Sequence, residues 1–209
     1  MFKYNKIEDA LADFKKGRII IVVDDKSREN EGDLVCAGQK VTPDTINFMS
    51  KYGRGLICVP LEEKRAKKFK LPLMVASNTE KNSCRFTVSV DYKHGTTTGI
   101  SAYDRAKTVK ALVSDTTKYT DFCRPGHIFP IIVDSNGLNK RKGHSEAAIE
   151  LCRISNFVKV AVICEILRDD GKMARNKDLY DFALRHNIKI IHINQLLNRI
   201  FQDVVVSDI

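Results

Sequence analysis

The sequence predicts an α+β (α/β-like) fold, a mixed β-sheet covered by helices in a single domain spanning residues 1–209. Apolar runs of strand length recur at 19–23, 55–60 and 158–167. Between them lie segments whose apolar residues fall at helical spacing, and the two kinds alternate irregularly, without repeats or a linker. With 209 residues and 43% hydrophobic content the chain can bury a sizeable core, which excludes general disorder.

Ile7, Ala10, Leu11 and Phe14 mark a first helix, stopped by Gly17. The strand 19–23 runs into an acidic loop, 24–33, that carries five carboxylates in ten residues. Thr42-Pro43 opens a second helix with proline at its first position, and Ile46, Phe48 and Met49 supply its apolar face. The strand 55–60 precedes a short charged helix, 62–69, which Leu71-Pro72 ends. A polar loop, 78–83, follows. Phe86, Val88 and Val90 then alternate with Thr87 and Ser89 as a half-buried strand. Gly95-Thr96-Thr97-Thr98-Gly99 reads as a loop rich in hydroxyls and backbone amides, after which Ser101 caps a helix that runs to about Val113. Cys123-Arg124-Pro125-Gly126-His127 reads as a turn before a strand, 128–133. A basic loop, 140–146, leads into a helix with Ala147, Ala148, Leu151 and Cys152. The strand 158–167, a helix around Leu179, Phe182 and Ala183, a strand 188–193 and a last helix 195–201 complete the chain.

The formal charge is +9, a balance that can signal nucleic acid. The basic residues are scattered, however, there is no tryptophan, and no basic strand is interleaved with aromatics. Five acids in the opening loop argue further against a nucleic-acid partner. The cysteines, at 36, 58, 84, 123, 152 and 164, form no metal-binding pairs and read as reduced core thiols. Residues 1–6 lack the apolar core of a signal peptide, and no apolar run could span a bilayer. A cytoplasmic protein with no membrane partner is expected.

Three stretches carry chemistry. Crowded acids at 24–33 repel one another unless a cation gathers them, and a divalent metal with a phosphorylated ligand would do so. In the loop 140–146, Lys140, Arg141 and Lys142 supply charge, Gly143 lets the backbone come close, and the next helix offers free amides. Ser145 can cap that helix or bond a phosphate oxygen, and His144 can be a structural hydrogen bonder or a metal ligand. Glu165 sits in an apolar strand, either as a perturbed acid–base group or at an exposed strand end. Pro125 and Gly126 hold His127 in one place, in a structural turn or a catalytic one.

These pieces occur in a recognisable order: Arg28-Glu29-Asn30-Glu31-Gly32-Asp33 after Asp24-Asp25; Gly95-Thr96-Thr97-Thr98-Gly99-Ile100-Ser101 with Asp104-Arg105; Arg124-Pro125-Gly126-His127; Gly143-His144-Ser145-Glu146-Ala147; and Cys164-Glu165 with Asp169-Asp170-Gly171 and Met173-Ala174-Arg175. From about Ile7 to Leu197 the chain resembles the 3,4-dihydroxy-2-butanone 4-phosphate synthases of riboflavin biosynthesis. The resemblance implies a magnesium-dependent lyase that converts D-ribulose 5-phosphate to L-3,4-dihydroxy-2-butanone 4-phosphate and formate. It implies two ions per active site, and a homodimer whose active sites are shared between subunits. By position in the motifs, Glu29 and His144 are the metal ligands. Arg28, Glu29, Asp33 and Glu165 contact substrate, Arg141, Lys142, Gly143, His144 and Ser145 hold its phosphate, and His127, Glu165 and Asp33 are catalytic. Manganese should also serve, because an imidazole is an atypical magnesium ligand.

Two positions depart from the family pattern. Ser145 stands where threonine is usual and keeps the hydroxyl, and Lys142 replaces a glycine or arginine. The chain ends without the fused cyclohydrolase domain of some relatives, which suggests the stand-alone form. A metal-dependent sugar-phosphate isomerase or aldolase would use the same parts, and formate release separates these from the synthase.

Overall fold

The apolar runs become strands because each can bury both of its faces between helices. In the computed structural model, which describes residues 3–207 and the side chains of 3–202, seven strands form one sheet. Met1 and Phe2, part of the N-terminal stretch read above, lie outside the described residues. The strands are β1 (Ile20–Val23), β2 (Gly32–Ala37), β3 (Cys58–Leu61), β4 (Val90–Tyr92), β5 (Phe122–Ile132), β6 (Ala161–Glu165) and β7 (Ile190–His192). Their order is β4-β5-β3-β6-β2-β1-β7. β1 is parallel to β7 and β3 to β5, while the other neighbours are antiparallel, so the sheet is mixed as expected.

Strand alternation divides the core in two. Ile20, Val22, Val35, Ala37, Ala161 and Ile163 face α1 (Ile7–Lys15), α5 (His144–Ile154) and α7 (Ile193–Ser207). Ile21, Val23, Leu34, Cys36, Val162 and Cys164 face α2 (Pro43–Phe48), α3 (Glu63–Lys68), α4 (Ala102–Val113) and α6 (Lys177–His186). The helix starts follow the expected local chemistry. Thr42 and Thr45 form a reciprocal capping box with Pro43 at the first helical position. The Ser101 hydroxyl accepts the Asp104 N–H at 3.0 Å.

Three stretches differ from the sequence expectation. The acidic loop closes earlier than expected, and Gly32 and Asp33 already belong to β2, a strand buried along all six residues. The ladder also begins later than 86: Phe86 and Thr87 make only isolated bridges, to Ile131 and Leu73, and regular pairing starts at Val90. Third, residues 124–127 lie inside β5 rather than in a turn that precedes it. Asp91 pairs with Cys123 and Val90 with Ile128, so these four residues bulge out of the β4 ladder. Pro125 is tolerated there because β3 does not pair with β5 until Phe129.

All six cysteines are free; Cys84 is half-buried and Cys123 exposed, so the core-thiol reading holds for the other four. Burial pushes the Cys164 thiol up to about 12 and raises that of Cys58 well above the usual thiol range, so neither is a nucleophile near neutrality. Cys164→Ala and Cys58→Ala are each expected to cost about 1 kcal/mol of stability and leave turnover intact. Thermal melts beside kcat check this, and an inactive but well-folded Cys58→Ala protein would assign that thiol a role.

Candidate active site

Asp24 organises the loop that joins β1 to β2. The hairpin base is clamped where Val23 pairs with Gly32, and the Asp24 N–H donates to the Glu31 carbonyl at 3.2 Å. The buried Asp24 carboxylate accepts the Glu31 N–H at 2.9 Å through Oδ1. Its Oδ2 accepts the Glu29 N–H at 3.1 Å and Arg28 Nη1 at 2.9 Å. The five acids of the motif are therefore gathered partly by backbone amides and a guanidinium. The Gly32 position has no room for a side chain, since a Cβ there would sit 2.8 Å from the Leu179 methyls.

This clamp aims Glu29 inward. Glu29 Oε2 receives Arg28 Nη1 at 2.9 Å and lies 3.2 Å from His144 Nδ1, while Oε1 accepts the Asn82 amide at 2.7 Å. Burial works against ionisation of Glu29, but His144, Arg28 and Arg141 outweigh it and hold the carboxyl below the usual range. His144 is the first residue of α5, directly after the N-cap Gly143. Asp33 and Glu165 are directly opposed in the β2–β6 ladder. By alternation both belong to the face that α5 covers, and Asp33 Oδ1 lies 3.9 Å from His144 Nδ1. Burial, with Glu165, Glu29 and Glu31 adding to it against the pull of His144, pushes the Asp33 carboxyl up to about 7. Burial would lower His144, but Asp33, Glu29 and Asp24 overcome it and carry the imidazole up to about 9. The Glu165 carboxylate emerges where β6 ends and accepts the Leu56 N–H at 2.8 Å. Gly55 must be glycine here, because a Cβ would collide with that carboxylate.

Asp24, Glu29 and His144 offer ligand atoms within 4.8 Å of one another. His144 Nε2 and Asp33 Oδ1 are buried without a hydrogen-bond partner. Two orphaned polar atoms among carboxylates and one imidazole fit a hard or borderline divalent cation. Both oxygens of Asp24 and both of Glu29 are already engaged by protein groups, so a cation here would have to displace one of those partners, whereas His144 Nε2 has none.

The basic loop is partly inward-facing. Lys140 and Lys142 are exposed, but Arg141 Nη1 pairs with the buried Glu146 carboxylate at 2.5 Å, and its Nη2 reaches Cys84 Sγ and the Asn82 carbonyl. Ser145 does not cap α5, as its sequence position allowed. Gly143 occupies the cap, and the Ser145 hydroxyl instead accepts from Arg141 and donates to Glu146. A Cβ at Gly143 would run into Arg141 and Glu146 and lie 3.1 Å from Arg28 Nη2, so this backbone sits against two guanidinium groups. The arrangement suits an anion held between Arg28, the Gly143 backbone and the start of α5.

Arg28, Glu29, Asp33, Arg141, Gly143, His144, Ser145 and Glu165 thus come together at one end of the sheet. His127 does not join them. Its strand lies two places from β6 in the sheet, roughly 10 Å away at ordinary strand spacing, and its ring contacts Asp91. Four residues that shape the site were missed in the sequence: Asp24 as the loop's clamp, Asn82 on Glu29, Glu146 on Arg141, and Asp91 on His127. Asp24 and Glu146 stand inside the acidic and basic motifs, where crowding of acids and a neighbouring arginine are local signals of their roles. Nothing local marks Asn82, which is 53 residues from Glu29 in the chain.

The family model described as 3,4-dihydroxy-2-butanone 4-phosphate synthase matches residues 8–199. A 3,4-dihydroxy-2-butanone 4-phosphate synthase of Agrobacterium fabrum is 49% identical over 200 residues, 96% of this chain and 94% of that protein. The riboflavin biosynthesis protein RibBA of Endomicrobium trichonymphae is 54% identical over 195 residues, 93% of this chain and 48% of its own length. The chain thus spans about half the length of several curated relatives it matches. Among solved structures, a 3,4-dihydroxy-2-butanone 4-phosphate synthase in complex with two magnesium ions superposes with a TM-score of 0.91 at 38% identity, covering 95% of this chain and 98% of the other. A cation-free form of such a synthase gives 0.89 at 37% identity, covering 96% and 99%. The family match over residues 8–199, the near full-length relative and the close superposition agree, and the chain belongs to the 3,4-dihydroxy-2-butanone 4-phosphate synthase family.

Proposed function

We propose that residues 1–209 act as one synthase domain, a lyase converting D-ribulose 5-phosphate to L-3,4-dihydroxy-2-butanone 4-phosphate and formate for riboflavin synthesis. The observation that carries this reading is the group of half-buried Glu29 with buried His144 and Asp33, two of whose polar atoms are orphaned, set beside the Gly143 anion cradle. Magnesium is the proposed ion, two per site, with manganese able to replace it. Glu29 and His144 would hold it, and when bound it would supply electrophilic polarisation of the substrate's carbonyl and hydroxyl oxygens.

The chain's own groups supply binding and proton transfer. Arg28, the Gly143 backbone and the loop residues Arg141, Lys142 and Ser145 hold the phosphate and fix the sugar's direction. Asp33, with its carboxyl at about 7, can take a proton from the carbon beside the ketose carbonyl and return one at neutral pH. Glu165 faces Asp33 across the ladder and is fixed by the Leu56 N–H, so it is placed to move a second proton. His127 is the third proton carrier. Its distance from Glu165 within one subunit accords with a homodimer in which each active site takes groups from both chains. A cytoplasmic setting is proposed with this role. Among the described residues no helix is long and apolar enough to cross a membrane.

Formate release from ribulose 5-phosphate, with magnesium and after chelation, tests the function. An isomerase or aldolase would consume the sugar without formate. Arg141 offers a sharper test of the anion loop. Arg141→Ala is expected to weaken substrate binding by one to two decades, the loss of about 1.5–3 kcal/mol of charge-assisted bonding. It also strands the Glu146 carboxylate, 3% exposed, at a stability cost of about 3 kcal/mol. Adding Glu146→Gln should restore the melting temperature but not the affinity. Recovery of both would mean that Arg141 serves the fold alone.

A further inference from the structure

Asp91 and His127 form a separate polar construction at the bulge in β5. The pairing shift between Val90 and Asp91 loops out residues 124–127 and leaves the His127 backbone amide without a ladder partner on β4. The Asp91 side chain takes that place. Its Oδ1 accepts the His127 N–H at 2.8 Å, and its Oδ2 lies 2.7 Å from His127 Nδ1. The Ser89 hydroxyl accepts the neighbouring Gly126 N–H at 3.1 Å, so the bulge is tied down at two successive amides.

Two glycines show how closely this pair is packed. A Cβ at Gly126 would collide with the backbone of Val90 and Asp91. A Cβ at Gly99, where φ is +92°, would meet the Asp91 carboxylate and would lie 2.7 Å from His127 Nδ1. Gly99 is itself fixed, because its N–H donates to Asp104 Oδ2 at 3.1 Å. The hydroxyl-rich loop therefore presses the carboxylate and the imidazole together. The Asp91 side chain is 13% exposed and that of His127 42%, so the carboxylate is enclosed and the ring is open on one side.

The chemistry of the contact sets the proton. An ionised carboxylate only accepts, so the ring nitrogen that faces it must carry hydrogen. A neutral His127 is then protonated at Nδ1, with the lone pair on Nε2. We propose that Asp91 is a positioning residue for the reaction, holding His127 in one orientation and one tautomer so that Nε2 can exchange a proton with the substrate. This rests on the reading of His127 as a proton carrier. A bulge held by Asp91 for its own sake would need the backbone bond alone. The second oxygen's bond to the ring, and the glycine that leaves space for both groups, go beyond that need.

The test uses the full chain with magnesium and ribulose 5-phosphate. Asp91→Asn keeps the shape and an acceptor oxygen but can no longer favour Nδ1–H by charge. It should lower kcat at least about tenfold, inside the span of general acid–base catalysis, and leave KM within about twofold. Nitrogen NMR of histidine-labelled protein, with His127 assigned from His127→Gln, should show Nδ1–H in the wild type and a mixed or reversed tautomer in Asp91→Asn. Unchanged kcat and tautomer in a folded Asp91→Asn protein, with His127→Gln inactive, would overturn the role of Asp91 and keep that of His127. Full activity of His127→Gln would overturn both. A raised KM with normal kcat would make Asp91 a binding residue and reject the proposal. Should Asp91→Asn fail to fold, the wild-type spectrum still decides, since an Nε2–H tautomer contradicts the proposal.

Discussion

Glu29→Gln and His144→Ala are each expected to abolish formate release and to weaken magnesium binding at least tenfold to a hundredfold, the range seen for loss of even an outer partner of a metal ligand. Glu29→Gln keeps the size of the side chain and its contact with Asn82 but removes the charge that faces Arg28 and His144. His144→Ala removes the one nitrogen donor and the cation that offsets Asp33. Neither residue belongs to the two apolar core clusters, and Asp33 can take up a proton once His144 is gone, so circular dichroism should change little and the melting temperature of His144→Ala should fall by less than that of Arg141→Ala. Calorimetric titration with magnesium decides the matter. A variant that binds the ion as the wild type does would take that residue out of the ligand set, whatever its turnover.

Glu165→Gln should leave substrate affinity near normal and cut turnover by at least about a hundredfold, the lower range for general acid–base catalysis. The amide oxygen can still accept the Leu56 N–H, and the tight fit against Gly55 is kept, so the shape of the pocket survives. What disappears is a group that can gain and lose a proton opposite Asp33. Loss of that negative charge also removes one cause of the high Asp33 value, so the Asp33 carboxyl should titrate lower in the variant. Calorimetry for binding, beside formate release, separates the cases. Near-normal turnover would remove Glu165 from the mechanism, and a loss of binding alone would recast it as an orienting residue.

Much of this was legible in the chain because the signals were local. Pro43 and Ser101 announce helix starts through backbone chemistry that needs no partner. The strands around Val22, Val59 and Ile163 are apolar enough to be read unaided. β2 was hidden because its first residues, Gly32 and Asp33, belong to an acidic motif that looks like loop. Only tertiary pairing with β1 on one side and β6 on the other makes a buried strand of them. Arg124 to His127 read as a turn because proline and glycine do favour turns. The bulge keeps that local character, and β5 continues through it. The site showed the same division. Glu29, Asp33 and Arg28 stand in one short motif and Glu146 in the same basic stretch as Arg141, whereas Asn82 and Asp91 act through long-range contacts that sequence spacing does not encode.

The placement of Asp33 and Glu165 on paired strands sets a clock as well as a geometry. β2 is hydrogen-bonded on both edges and buried throughout, so its amides should be among the last to exchange with deuterated solvent, at or near the free energy of global opening. Asn82 belongs to a stretch without regular structure, and its neighbours Lys81 and Ser83 are both exposed, so this stretch can open without the sheet. Each such opening would release Glu29 Oε1 and the Nη2 side of the Arg141 guanidinium together, because Asn82 bonds one through its amide and the other through its carbonyl, while Arg141 Nη1 stays on Glu146. The two carboxylates that face each other across the ladder would stay in register while this flank breathes on its own, much faster timescale.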